Sequence, residues 1–250
     1  MNNSFSSLIN PVPVTAGVET SRFSGAAWAE FVQSQQVLIA GVGGIGSWLA
    51  LMIARLNPSS MVLADDDRVE RANMAGQLYT TNDVGRGKVE AVQSMLEKFA
   101  NYRNVGTFNQ RITSDVTRVP RIVMCGFDNM EARRTTYNVW ASYNSVASPA
   151  DKCLFIDGRL AAETLQVFCF TLADEAYRRE YEQTWLFNDS EAESTVCSYK
   201  QTSYCANLIA SIMTNLFVNW CANQCNPIID RSVPFMTEYS GEQMFLKYEV

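Results

Sequence analysis

Histidine is entirely absent from the 250 residues of this chain. Ser/His and Cys/His dyads, His-containing metal sites and imidazole general bases are therefore excluded, and any catalysis must proceed by other groups. CxxC pairs are missing as well. The seven cysteines, Cys125, Cys153, Cys169, Cys197, Cys205, Cys221 and Cys225, give a four-cysteine zinc site no support, so zinc is not expected. Their odd number speaks against a disulfide framework and for a reducing compartment. Positive charge is scarce: 20 Lys and Arg against 26 Asp and Glu leave a net charge of −6, which makes nucleic acid a poor candidate partner. Long apolar runs are lacking too. The longest, residues 205–222, is interrupted by Asn207, Ser211, Thr214, Asn215 and Asn219 and reads as a core helix, with no bilayer span. No charged-then-apolar leader pattern opens the chain, whose first basic residue is Arg22, and a cytoplasmic location is the expectation.

With 47% apolar and 18% charged residues, the composition is that of an ordinary globular protein. Neither an internal repeat nor a low-complexity linker divides it, so a single domain over 1–250 is expected, with residues 1–21 as an irregular arm containing Pro11, Pro13 and Gly17. A helix is expected around 26–34. The apolar run 36–40 ends in Gly41 and is followed by helical periodicity over 45–56, stopped by Asn57-Pro58. Residues 61–64 and 121–125 are strand-like, 86–100 helical (Val89, Val92, Leu96, Phe99), and 131–142 helical. Strands are expected at 154–157 and 165–171, a long helix from about Thr202, and a closing hairpin from 235–239 and 243–249 around Ser240-Gly241. Alternating strand and helix points to an α/β, Rossmann-like, mostly parallel sheet with an antiparallel extension. Residues 173–193 carry seven acidic side chains and read as an acidic helix and loop, a solvated face or a docking surface for a basic partner.

Gly41-Val42-Gly43-Gly44-Ile45-Gly46 joins a strand to a helix, where a helix N-terminus favours a phosphate and small residues let the backbone approach it. Asp65 follows Gly46 by 19 positions, at the end of the second strand, where a carboxylate can accept hydrogen bonds from ribose hydroxyls. These features alone leave NAD and ATP both open. The residues that follow are Asp65-Asp66-Asp67-Arg68-Val69, Asn73, Gln77, Lys88 after Gly85-Arg86-Gly87, and Asp128 after an apolar strand. No GxxxxGK[ST] is present, which disfavours a Walker-type ATPase.

In order and spacing these blocks resemble the ubiquitin-activating-enzyme superfamily, the MoeB/ThiF/HesA-like adenylyltransferases, whose pattern runs GxGGxG, DxD, NxxRQ, a lysine opening a helix, and a later aspartate. The resemblance covers residues 22–222. It implies an ATP-dependent adenylyltransferase in which Gly41, Gly43, Gly44 and Gly46 cradle the nucleotide with Asn73 and Gln77. Asp65 and Asp67 would hold the ribose side, Lys88 the phosphate oxygens and Asp128 a magnesium ion. It implies a substrate of the ubiquitin-like or sulfur-carrier type, activated at its C-terminal glycine. A carboxylate is ionised at neutral pH, so its attack on the α-phosphate needs no general base and the missing histidines are permitted. One block departs: Asn73-Met74-Ala75-Gly76-Gln77 has Gly76 where the family has arginine. Arg22 is the candidate to replace that cation, reaching across a homodimer, with Arg55, Arg68 and Arg71 as alternatives. Cys197 resembles the catalytic cysteine of ubiquitin-type activators, in a crossover-type segment at 173–201, and would accept the acyl group as a thioester. Three rival readings stay open on these residues: a non-catalytic partner subunit, an NAD-dependent oxidoreductase, and a tRNA-modifying or peptide-adenylating relative.

Overall fold

The computed structural model describes residues 17–188 and 201–249. Its centre is an eight-stranded sheet in the order β3-β2-β1-β4-β5-β6-β7-β8. The strands are β1 (Gln36–Ala40), β2 (Ser60–Ala64), β3 (Val105–Phe108), β4 (Ile122–Cys125), β5 (Leu154–Ala161), β6 (Thr164–Thr171), β7 (Met236–Ser240) and β8 (Phe245–Glu249). β3, β2, β1, β4 and β5 run parallel, and β5 through β8 pair antiparallel. The helices are α1 (Ala29–Gln33), α2 (Gly44–Leu56), α3 (Lys88–Ala100), α4 (Met130–Ala147), α5 (Glu175–Glu180) and α6 (Ser203–Asn223).

Alternation along each central strand divides the core between the two faces of the sheet. Val37 and Ile39 of β1 pack with Leu49 and Ile53 of α2, Val92 and Leu96 of α3, and Ile209, Met213 and Phe217 of α6. Leu38 and Ala40 face the other way, into a layer with Phe155, Phe168, Phe170, Tyr181 and the Tyr137 and Trp140 of α4. Both faces are covered, which is why these strands read as continuous apolar runs. α6 is long and apolar enough to span a bilayer, but its Ile209, Ala210, Met213 and Phe217 are fully buried in this core, as expected for a core helix.

The outline anticipated from sequence holds, with differences at element ends. α2 stops where expected, at Asn57 in the left-handed region (φ 61°) ahead of Pro58. β5 and β6 are longer than their apolar runs because their pairing continues to Ala161↔Thr164 at the hairpin tip. β3 was not anticipated. It is a four-residue edge strand, Val-Gly-Thr-Phe, only partly buried, and carries neither alternation nor a long apolar run.

Strand order reverses between β1 and β4, since β1 leads through α2 to β2 on one side while β4 lies on the other. In open α/β sheets such a switch point opens a crevice at the carboxyl ends of the strands. The C-terminal ends of β1, β2 and β4 carry Gly41, Asp65 and Asp128 respectively.

Candidate functional site

The turn from β1 into α2 is set by two glycines. Gly41 has φ +86°, and a Cβ there would stand 2.9 Å from the Phe127 amide nitrogen of the neighbouring β4–α4 turn. A Cβ on Gly46 would stand 1.8 Å from the Gly41 carbonyl oxygen, so only hydrogen lets the helix start this close to the strand. The result is a helix N-terminus whose free amides open at the switch point.

Asp65 clamps this turn. Its Oδ2 accepts from the Val42 amide at 2.8 Å and its Oδ1 from the Asp67 amide at 2.9 Å. Burial is the main reason its carboxyl pKa lies above the ordinary aspartate value, opposed by the charge of Lys88 and the two backbone donors. Tyr79 donates its hydroxyl to the Val42 carbonyl at 2.5 Å, and burial raises the phenol pKa so that the proton stays in place.

Lys88 is the first residue of α3 and is buried. Its ammonium meets Asp67 Oδ2 at 2.7 Å, and its amide donates to the Asp67 carbonyl at 2.9 Å. Asp65, Asp66 and Asp67 bring carboxylate oxygens within 4.8 Å of one another. Donors of the protein itself serve all three: Val42 and Asp67 amides at Asp65, Arg111 at 2.9 Å from Asp66, and Lys88 at Asp67.

The segment 71–78 is stapled to α2 beside the glycine turn. Trp48 Nε1 donates to the Gly76 carbonyl at 3.0 Å and the Leu78 amide donates to Ser47 Oγ at 3.0 Å. Gln77 thereby faces Gly43, its amide 3.8 Å from where a Cβ on Gly43 would be, and its buried Oε1 has no hydrogen-bond partner among the described residues. A buried, unpartnered acceptor costs free energy unless something else meets it, which fits a ligand at the turn. Asn73 Oδ1 accepts from the Glu70 amide at 2.7 Å, capping its own short 3-10 helix.

Asp128 is exposed, immediately ahead of Asn129, the N-cap of α4, whose side chain accepts from the Ala132 amide at 2.8 Å. The Asn129 side-chain amide donates to Asp128 Oδ1 at 3.5 Å. Arg22 is exposed on the turn-rich segment before α1. The carbonyl of nearby Gly17 accepts from Asn101, the C-cap of α3, at 3.4 Å. That end of α3 lies about 20 Å along the helix from Lys88, at 1.5 Å per residue, so among the described residues no contact brings Arg22 to the glycine turn. Of the alternatives, Arg55 is exposed in the last turn of α2, and Arg68 donates to the Gly85 carbonyl at 2.7 Å. Arg71 is exposed on the 3-10 helix. Cys197 falls outside the described residues.

Sequence reading missed a buried ionic group beside the site. Asp157, midway along β5 and opposite Cys125, pairs with Arg133 of α4 and with Arg159 at 2.9 Å, and accepts from Tyr181 Oη at 2.9 Å. Arg133 also donates to the carbonyls of Phe127 and of Gly158, anchoring the turn that carries Asp128. The only sequence signal was Asp157 at the end of the apolar run Leu154-Phe155-Ile156. A cleft of about 380 Å³ lined by Ser34, Arg118, Arg121 and Tyr143 opens at the opposite edge, where the strands begin, and contains none of the motif residues.

The ThiF family profile matches residues 19–247. The chain is 36% identical over 105 residues to the sulfur carrier protein ThiS adenylyltransferase of Escherichia coli (strain K12), covering 40% of this chain and 41% of that protein. It is 34% identical over 120 residues to ubiquitin-like modifier-activating enzyme 5 of Drosophila persimilis, covering 42% of this chain and 31% of that one. It thus spans less than half the length of these curated relatives. Among solved structures, E. coli MccB with ATP superposes with a TM-score of 0.67 at 14% identity, over 94% of this chain and 73% of that one. PaaA superposes with a TM-score of 0.67 at 18% identity, over 89% and 66%. Those two likenesses concern the fold alone. With the profile running from ahead of α1 into β8, the chain belongs to the ThiF family.

Proposed function

We propose that this protein is an ATP-dependent adenylyltransferase that activates the C-terminal carboxylate of a small ubiquitin-like or sulfur-carrier protein. The observation that carries the reading is the convergence of four elements on one crevice. A helix N-terminus, a buried ammonium (Lys88), a buried acceptor without a partner (Gln77 Oε1) and an exposed strand-end carboxylate (Asp128) all lie at the switch point. Family membership and the names of the two curated relatives support the same reaction class, and MccB is a protein of this fold that holds ATP.

In the reaction, a carboxylate oxygen of the substrate attacks the α-phosphorus. The bond to the bridging oxygen breaks, and pyrophosphate leaves with the electron pair. No proton need be moved, so the protein's contribution is positioning and charge neutralisation. The α2 amides and Lys88 receive phosphate oxygens, while Asp65 keeps the turn closed and presents its remaining lone pairs to the ribose, with Asp67 beside it. Magnesium usually takes one or two carboxylates plus substrate phosphates, and an exposed, nearly unpartnered Asp128 suits that role; the ion would supply charge neutralisation there. Arg22 serves the site of a second copy in a homodimer, and Cys197 accepts the acyl group from the adenylate as a thioester, releasing AMP.

A nicotinamide cofactor would leave Lys88 and Asp128 without a shared purpose. The glycine at position 76 favours one other reading, a non-catalytic subunit of such an activating enzyme. The test is radiolabelled pyrophosphate exchange into ATP, screened against peptides with and without a terminal Gly-Gly. Exchange stimulated by the Gly-Gly peptides is expected. Exchange that appears only after a second protein is added would replace this reading with that of the silent subunit.

A further inference from the structure

Two glycines of different segments, Gly44 and Gly76, are filled by one side chain. A Cβ on Gly44 would stand 1.8 Å from Gln201 Oε1 and 2.9 Å from its Nε2. A Cβ on Gly76 would stand 2.9 Å from Gln201 Cγ and 3.0 Å from Nε2. The carboxamide of Gln201 therefore spans from the first turn of α2 to the end of the 71–75 helix, on the same glycine turn whose Gly43 the Gln77 amide faces.

The backbone of Gln201 is held on both sides. It forms a parallel bridge with Ala162, at the tip of the β5–β6 hairpin. The next residue, Thr202, is the N-cap of α6 and accepts from the Cys205 amide at 3.4 Å. With the main chain pinned there, the side chain extends along the wall of the crevice. Gly76 suits this arrangement, because a Cβ at 76 would oblige the Gln201 side chain to shift.

From this we infer that Gln201 is a triphosphate-contacting residue, whose neutral carboxamide occupies the wall space that Gly76 leaves open beside the α2 N-terminus. An amide supplies two donors and an acceptor but no charge, so this wall orients phosphate oxygens without neutralising them, and neutralisation falls to Lys88, to Arg22 of a second copy and to the magnesium that Asp128 would hold. The inference rests on the adenylation reading and names a residue that reading does not contain.

The experiment is calorimetric titration of the full chain with MgATP, with thermal unfolding as a fold control. Loss of one hydrogen bond to a charged ligand corresponds to roughly a tenfold change in Kd. Gln201→Ala should weaken binding by about that factor. Gln201→Glu, the same shape with a negative charge, should weaken it further, with kcat for exchange falling less than KM rises. Gly76→Arg should also bind poorly, and Gly76→Arg combined with Gln201→Gly should recover affinity, since the arginine then has room. A wild-type chain that binds no MgATP overturns both readings. Wild-type binding with unchanged or tighter binding in Gln201→Ala and Gln201→Glu overturns this inference and leaves the adenylation reading standing.

Discussion

The ammonium of Lys88 and the carboxylate of Asp67 lie 2.7 Å apart, the lysine side chain 9% exposed and the aspartate 65% exposed. The asymmetry matters. A buried cation whose partner sits in solvent can exchange that partner for a stronger anion at little cost, because Asp67 is rehydrated as it leaves. An ion pair this exposed on one side adds at most about 1 kcal/mol to stability. Lys88→Ala is therefore expected to leave the melting temperature within a few degrees of wild type. It should lower pyrophosphate exchange by about 10²–10³-fold, the scale of removing one transition-state donor. Retention of exchange would remove Lys88 from the site.

Asp128 is exposed on the β4–α4 turn and, among the described residues, has one weak hydrogen-bond neighbour, so replacing it disturbs little packing. Asp128→Asn should unfold like wild type, within about 0.5 kcal/mol, and lose activity in a magnesium-dependent way. Titrating magnesium into the exchange assay separates the outcomes. A large rise in the magnesium concentration needed for half-maximal rate supports the role, and an unchanged magnesium profile rules it out.

Asp157 has the opposite character. It is fully buried, bonded to Arg133, Arg159 and Tyr181. Removing one partner of a buried charge group strands the others, at a cost of about 3–5 kcal/mol. Asp157→Ala should lower the urea midpoint accordingly, with an unchanged m-value, and Arg133→Met should rescue part of the loss by removing a stranded charge. Independent, additive effects of the two changes would show that the group is not a network.

Asp65 carries a pH signature. Burial holds its carboxyl pKa in the folded chain above the unfolded value of about 3.9. The contribution of this group to stability is thus fully present below the unfolded value and is lost as pH rises through the folded one. Asp65→Asn forfeits one of the two backbone hydrogen bonds at every pH but escapes the charge penalty. The difference in unfolding free energy, variant minus wild type, should therefore rise between pH 4 and pH 7. A flat or falling difference would mean that the two amide donors outweigh burial.

The crevice was legible in the sequence because its parts are backbone-driven. Glycines at 41, 43, 44 and 46 between an apolar strand and an amphipathic helix dictate a tight turn, and Lys88 after Gly87 marks a helix start. Asn73 was legible as part of the motif, whereas the local cap that its Oδ1 makes with the Glu70 amide emerges only from the structure. Edge strand β3 escaped notice because partial burial leaves no periodicity. The Asp157 group could not be read either, since Arg133, Asp157 and Tyr181 are separated by some two dozen residues each and converge only when α4 and the residues after α5 pack on one face of the sheet.

Order and chemistry of the motif residues, the exclusion of imidazole and the alternation of strands and helices were determined by the sequence itself, because each depends on neighbours within a few positions along the chain. That Gly76 faces Gln201, that Gln77 keeps an acceptor free and that Arg133 braces the Asp128 turn were decided by the tertiary structure alone. These contacts join segments up to 157 positions apart between Gly44 and Gln201, and no local preference specifies them. They arise only when burial of the two apolar faces of the sheet brings the helices that carry those segments to fixed positions over it.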